Sequence, residues 1–119
     1  MNIKTVAKNT GLTAHTLRYY EKIGLLINIH RDLSGHRVYS EKDLIWIAFI
    51  KRLKATNMPL EEIKQFASLR VQGDKTIPER VALLEKHAQR VEKQIQTLKT
   101  HQQKIVQKIE LCLQGGALT

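Results

Sequence analysis

The sequence predicts a mainly α fold, a winged helix-turn-helix followed by a long coiled-coil helix. Three observations predict it. Two short helical segments meet at Gly11. A hairpin signature bearing arginines follows over residues 25–39. An apolar seam in alternating steps of three and four then runs from Val81 to Cys112. The 119 residues give room for a small domain plus one long helix. The expected division is a winged helix-turn-helix domain over residues 1–75, a coiled-coil dimerisation helix over 76–113 and a short flexible tail over 114–119.

The first helix is read over residues 3–9, with Asn2 as N-cap and Val6 and Ala7 facing inward. Gly11 supplies the backbone freedom of a tight turn. Thr13 caps a second helix that runs to about Ile23, and Gly24 ends it. Leu17 and Tyr20 point together towards the first helix. His15, Arg18, Tyr19 and Lys22 fall at i, i+3, i+4 and i+7, one stripe carrying donors, positive charge and an aromatic hydroxyl. A helix that reads the major groove needs such a face; an ordinary solvated face also holds Arg and Lys.

Over residues 25–39, Ile27 and Ile29 alternate with Asn28 and His30. Leu33-Ser34-Gly35 is a turn signal, and Val38-Tyr39 returns as a strand. Arg31 and Arg37 flank the hairpin tip with His36 beside it. Next to a helix-turn-helix, such a hairpin is expected to grip phosphates; the alternative is a solvated hairpin.

Ser40 and Asp43 are spaced as a capping box. The helix after it carries Leu44, Ile47, Ala48, Ile50 and Leu53, with Trp46 and Phe49 assigned to core packing. Asn57-Met58 breaks the chain and Pro59 begins a further helix, whose buried side is Ile63, Phe66, Ala67 and Leu69. Gly73-Asp74 ends it. Thr76 and Glu79 are read as a second capping box, with Pro78 in the first turn. The seam that follows is Val81, Leu84, Ala88, Val91, Ile95, Leu98, Gln102, Ile105, Ile109 and Cys112, and only Gln102 is polar. Such a helix spans roughly 50 Å. The domain beside it is too small to bury the whole stripe. No Gly or Pro between residues 79 and 114 lets it fold back, so a second copy of the chain is the expected partner.

Lys and Arg number 20 against 11 Asp and Glu, a net charge of +9. The isoelectric point near 9.9 fits a polyanionic partner or simply a basic surface. In residues 1–40 six basic residues face two acids; over 76–119 seven face four. One cysteine, Cys112, excludes an intrachain disulfide framework and points to a reducing compartment. Neither a signal peptide nor an apolar run of membrane length stands out, so the expected location is cytoplasmic, with no membrane partner. No motif supports catalysis, and the chain is not read as an enzyme.

Taken together, Val6-Ala7-Lys8, Thr10-Gly11-Leu12-Thr13 and Leu17-Arg18-Tyr19-Tyr20-Glu21 resemble the helix-turn-helix of the MerR family. Gly24-Leu25-Leu26, Arg31 and Gly35-His36-Arg37-Val38-Tyr39 resemble its wing. Asp43-Leu44 and Asn57-Met58-Pro59-Leu60-Glu61-Glu62-Ile63 resemble its second helical pair. The resemblance covers about residues 1–113. It implies a homodimer held by an antiparallel coiled coil, bound to double-stranded promoter DNA. In the family, the −35 and −10 elements lie too far apart for RNA polymerase, and the activated dimer bends and untwists the DNA between them. By family position, Lys54 adds a phosphate contact to the DNA contacts expected of His15, Arg18, Tyr19 and Lys22 on the recognition helix and of Arg31, His36 and Arg37 on the wing. Arg18 is left as a contact to a base edge or to an orienting phosphate. Asn28 stands where the family usually has Pro, which implies a looser approach to the wing. His36 replaces a frequent Tyr, and Asn57 a usual Gly.

Residues 49–54 and 73–80 resemble the aldehyde- and thiol-stress-responsive (AdhR/NmlR-type) branch, which often carries a reactive Cys where Arg52 stands. A guanidinium cannot be alkylated or oxidised as a thiolate can. A stress response is therefore expected without that branch's usual sensor. Cys112 matches the first metal-binding Cys of the copper-sensing branch, but Leu113 to Thr119 holds no second thiol. His101 lies eleven residues back, about 16 Å along a helix, against ligand bonds near 2 Å. No metal or cofactor is expected. Cys112 is left as a packing residue at the seam's end, an effector-sensing thiol, or a ligand completed by the partner chain. Ligand-gated relatives append a drug-binding domain after the coil, so a bulky effector is not expected here. An architectural winged-helix protein that bends DNA without an effector is the alternative function.

Overall fold

The computed structural model describes residues 1–116. It divides into two compact units, Met1–Leu83 and a second that begins at Leu84. Among the described residues, no helix is long and apolar enough to cross a membrane.

Helix α1 (Ile3–Thr10) starts where the Asn2 side chain accepts from the Thr5 N–H at 2.8 Å. It stops at Gly11, whose φ of 74° lets its N–H reach the Ala7 carbonyl at 3.0 Å. The Thr13 hydroxyl caps helix α2 (Ala14–Lys22) by accepting from the Thr16 N–H at 3.0 Å. Val6 and Leu17 are fully buried and Tyr20 nearly so, while Ala7 is half-buried. At the far end, Gly24 at φ 89° lets the Leu25 N–H turn back to the Tyr20 carbonyl at 2.8 Å. The helix-turn-helix is therefore built as its caps and apolar spacing predict.

The hairpin is shorter than expected. Strand β1 is only His30–Arg31 and β2 only Arg37–Val38, antiparallel, with His30 opposite Val38 and Arg31 opposite Arg37. Two causes shorten it. Asn28 has φ 62° and breaks the extended run, so Ile29 turns into the core instead of continuing a ladder. Tyr39 leaves the hairpin to exchange backbone bonds with Met1, at 2.7 and 2.8 Å. The turn between the strands is held by Asp32, whose Oδ1 accepts from the N–H groups of Ser34 and His36, both at 2.9 Å.

Helix α3 (Glu41–Ala55) opens on the expected capping box. The Asp43 N–H donates to the Ser40 hydroxyl at 3.1 Å, and the Ser40 N–H to the Asp43 carboxylate at 2.9 Å. Trp46, Ile47, Ile50 and Leu53 are buried, but Ala48 faces solvent and Leu44 is half-buried. The Trp46 indole N–H donates to the buried Leu25 carbonyl at 2.7 Å, and its ring stacks on Phe66 with centroids 5.4 Å apart. The helix ends as Asn57 takes φ 65° and the Met58 N–H returns to the Leu53 carbonyl at 3.0 Å. Asn serves here because it enters the left-handed region at small cost. Pro59 precedes α4 (Leu60–Val71), which buries Ile63, Phe66, Ala67 and Leu69 as expected.

The second expected capping box does not form. A 3-10 turn, Asp74–Thr76, runs directly into α5 (Ile77–Leu113). Thr76 is buried, and its hydroxyl shares its proton between the carbonyls of Leu69 (2.7 Å) and Gly73 (2.8 Å) while accepting from Arg80 Nε at 3.0 Å. Those carbonyls at the end of α4 compete successfully for the group that would have capped α5. The 37 residues of α5 extend about 55 Å. Residues 114–116 are not a free tail. Gly115 at φ 76° lets the N–H groups of Gly115 and Gly116 close on the carbonyls of Cys112 and Leu111, at 3.1 and 2.9 Å. The remainder of the expected tail lies outside the described residues.

The Asn28 backbone generates a test. Proline cannot reach φ 62°, so Asn28→Pro should lower the unfolding free energy by more than about 1 kcal/mol in a urea titration. Asn28→Gly, which enters that region freely, should change it by less than about half that amount.

Candidate nucleic-acid interface

Burial of Leu17 and Tyr20 turns the opposite face of α2 to solvent, and His15, Arg18, Tyr19 and Lys22 are all exposed there. Tyr19 keeps 49% of its surface accessible, high for an aromatic residue on a helix that buries Leu17 and Tyr20. The stripe read from the spacing is thus a continuous outward surface.

The two wing arginines, equivalent in the sequence reading, differ in the structure. Arg37 Nε lies 2.6 Å from Glu21 Oε1, and its side chain is only 22% exposed. Arg31 Nη2 lies 3.7 Å from Glu21 Oε2 with 46% exposed, while its Nη1 donates to the Gly35 carbonyl at 3.0 Å. Arg31 is therefore the freer of the two for a phosphate. His36 is more exposed than either arginine, at 79%, with its Nδ1 3.8 Å from the Asp32 carboxylate.

Between the N-terminal end of α1 and the wing, with Arg18 of α2 at its side, lies a concavity of about 600 Å³ lined in part by Asn2, Lys4, Arg18, Asp32, His36 and Arg37. Cations stand on both of its sides, from α1, from α2 and from β2. The Tyr39 phenol is buried behind this surface, and that burial pushes its pKa up. Lys54, near the end of α3, places its ammonium 5.2 Å from the centre of the Tyr20 ring. This brings the proposed phosphate contact of α3 against the inner face of α2. Lys51, one turn earlier, donates to the Thr10 carbonyl and so holds the C-terminal end of α1.

Three residues that position this surface were not singled out by sequence reasoning: Glu21, Asp32 and Lys51. A signal for the first two existed. They are the only acids in residues 1–40, and both hold the wing, Glu21 from the helix and Asp32 from within the turn. Lys51 carried no signal, because one lysine among many on an amphipathic helix is unremarked until a carbonyl lies beside it.

Cys112 is exposed in the last turn of α5. Among the described residues no group of three His, Cys, Asp or Glu side chains could hold a metal ion. Arg52 is exposed on α3.

Comparison with known proteins gives the same assignment from several sides. A family model described as "MerR HTH family regulatory protein" matches residues 1–69, and one described as "MerR, DNA binding" matches residues 44–108. An uncharacterized HTH-type transcriptional regulator of Haemophilus influenzae is 44% identical over 95 residues, 80% of this chain and 70% of that protein. The HTH-type transcriptional regulator AdhR of Bacillus subtilis is 43% identical over 91 residues, 76% of this chain and 65% of that protein. The crystal structure of HiNmlR, a MerR family regulator lacking the sensor domain and bound to promoter DNA, matches with a TM-score of 0.85 at 38% identity. That match covers 98% of this chain and 93% of that one.

Arg18 lines the concavity together with Asp32, His36 and Arg37 of the wing, and we propose that it meets the DNA backbone. Arg18→Ala should therefore flatten the plot of log binding constant against log salt by about one unit and weaken all sequences alike. A loss confined to one base-pair position, measured with a panel of single-position operator variants, would contradict that assignment.

Proposed function

This chain belongs to the MerR family of helix-turn-helix regulators and is a DNA-binding transcription regulator, and we propose that it works as a homodimer on a two-fold symmetric promoter site. In this reading, each copy offers α2 to the major groove and its wing to the flanking phosphates. The long helix α5 pairs antiparallel with its counterpart, and the dimer distorts the spacer so that RNA polymerase can use both promoter elements. A regulator of this kind works in the cytoplasm and without catalysis.

The observation that carries the reading is the exposed seam of α5. Leu98 is 67% exposed, Ile105 62% and Ile109 53%, at the spacing a helical partner would cover. Apolar side chains in such a line, interrupted only by Gln102, are a strong driver of self-pairing in water. Cys112 closes this seam and is assigned to packing in the paired coil. Resemblance to the aldehyde- and thiol-stress branch supports a role in a stress response. With Arg52 standing where that branch carries Cys, the thiol chemistry has no donor at that position.

Sedimentation tests the pairing. The wild-type chain should run at twice its 13.7 kDa mass. Leu98→Lys with Ile105→Lys should run as a monomer with its helix-turn-helix still folded. Its affinity for a two-half-site duplex should fall about 100-fold, since each half-site must then be bound separately. A wild-type monomer with undiminished promoter affinity would refute the dimer.

A further inference from the structure

We propose that Glu21 is a positioning residue for promoter recognition: its carboxylate holds the wing at the angle to α2 at which both engage one duplex. The inference rests on the promoter-binding reading above and names the group that makes helix and wing a single surface.

The geometry carries it. Glu21 uses both oxygens, Oε1 at 2.6 Å from Arg37 Nε and Oε2 at 3.7 Å from Arg31 Nη2. Arg31 and Arg37 face each other across the two strands, so one carboxylate ties both strands of the wing to α2. Each strand is two residues long, and a ladder that short does not hold its own orientation. Buried Ile29 and Tyr39 anchor the base of the hairpin, while Glu21 is the side chain that ties its two paired strands to α2. The Arg37 pair is partly shielded, with side chains 22% and 25% exposed, and its Nε geometry is that of a charge-assisted hydrogen bond. It is therefore stronger than an ordinary surface pair. Glu21 also lies one helical turn from Arg18, on the same helix as the stripe that faces DNA.

Electrostatics alone makes the opposite prediction. A carboxylate beside a polyanion repels it, so removing the charge should tighten every complex. If Glu21 positions the wing, its loss should instead separate specific from non-specific binding.

The test uses the full chain, a duplex enriched from a random pool by the wild-type protein, and an unrelated duplex of equal length. Glu21→Gln should weaken binding to the enriched duplex about tenfold while binding to the unrelated duplex stays equal or tightens. Glu21→Asp keeps the charge but is one methylene shorter. It should weaken the enriched complex to an intermediate degree and leave the unrelated one unchanged, and it covers the case in which Glu21→Gln does not fold. In the DNA-free protein, the Asp32 and His36 amides, bonded within the turn, should exchange about tenfold faster in Glu21→Gln, with α3 protection unaltered. Affinity for both duplexes rising together, or wing exchange equal to wild type, would overturn the proposal. Failure of the wild-type chain to enrich any sequence would overturn the promoter reading itself. The exchange measurement does not depend on DNA and so distinguishes the two failures.

Discussion

Whatever the outer face of α2 does depends on what its inner face is fixed to. A helix of nine residues is too short to be stable in water alone, so its orientation comes from packing. Leu17 and Tyr20 are buried against the helical core, and the turn after α2 is locked where the Leu25 carbonyl accepts from the Trp46 indole at 2.7 Å. That bond is buried and sits under the segment leading to the wing. Losing it would leave a carbonyl without water, at about 1–3 kcal/mol. Through that bond, the aromatic cluster of Trp46 with Phe49 and Phe66 anchors the segment that joins α2 to the wing.

From this frame the charge pattern of the first unit takes on meaning. The basic groups split into two sets. His15, Arg18, Lys22 and His36 project outward beside the phenol of Tyr19, while Lys51 and Arg37 are engaged by a carbonyl and a carboxylate of the protein itself. Arg31 stands between, half-exposed and bound to Gly35 and Glu21. A net charge of +9 is therefore not spread evenly in function. Some of it attracts a polyanion, and some of it holds the attracting surface in shape.

Much of this was legible in the sequence because the signals are local. Asn2, Thr13 and the Ser40–Asp43 pair cap helices through bonds spanning three residues, and Gly11 and Gly24 end helices through their own φ. The seam of α5 was legible because periodicity survives over ten positions. What was hidden involves partners far apart in sequence or a competition between neighbours. Tyr39 pairs with Met1, 38 residues away, and that shortened the wing. Arg37 meets Glu21 sixteen residues back, which no spacing rule relates. Thr76 had the right type and position to cap α5, yet the carbonyls of Leu69 and Gly73 hold it. Asn28 carried a conflicting signal, alternation with its neighbours against its own tolerance of the left-handed region, and the backbone followed the latter.

In the proposed complex, two copies joined through α5 each present a rigid helix-and-wing surface to one promoter. Hydroxyl-radical footprinting on the chain's own promoter tests it most directly. A dimer on a symmetric site gives two protected patches of equal strength, related by a dyad inside the spacer between the −35 and −10 elements, appearing together at one protein concentration. A single continuous protection that lengthens as protein is added would contradict it and identify an architectural DNA-bending protein instead.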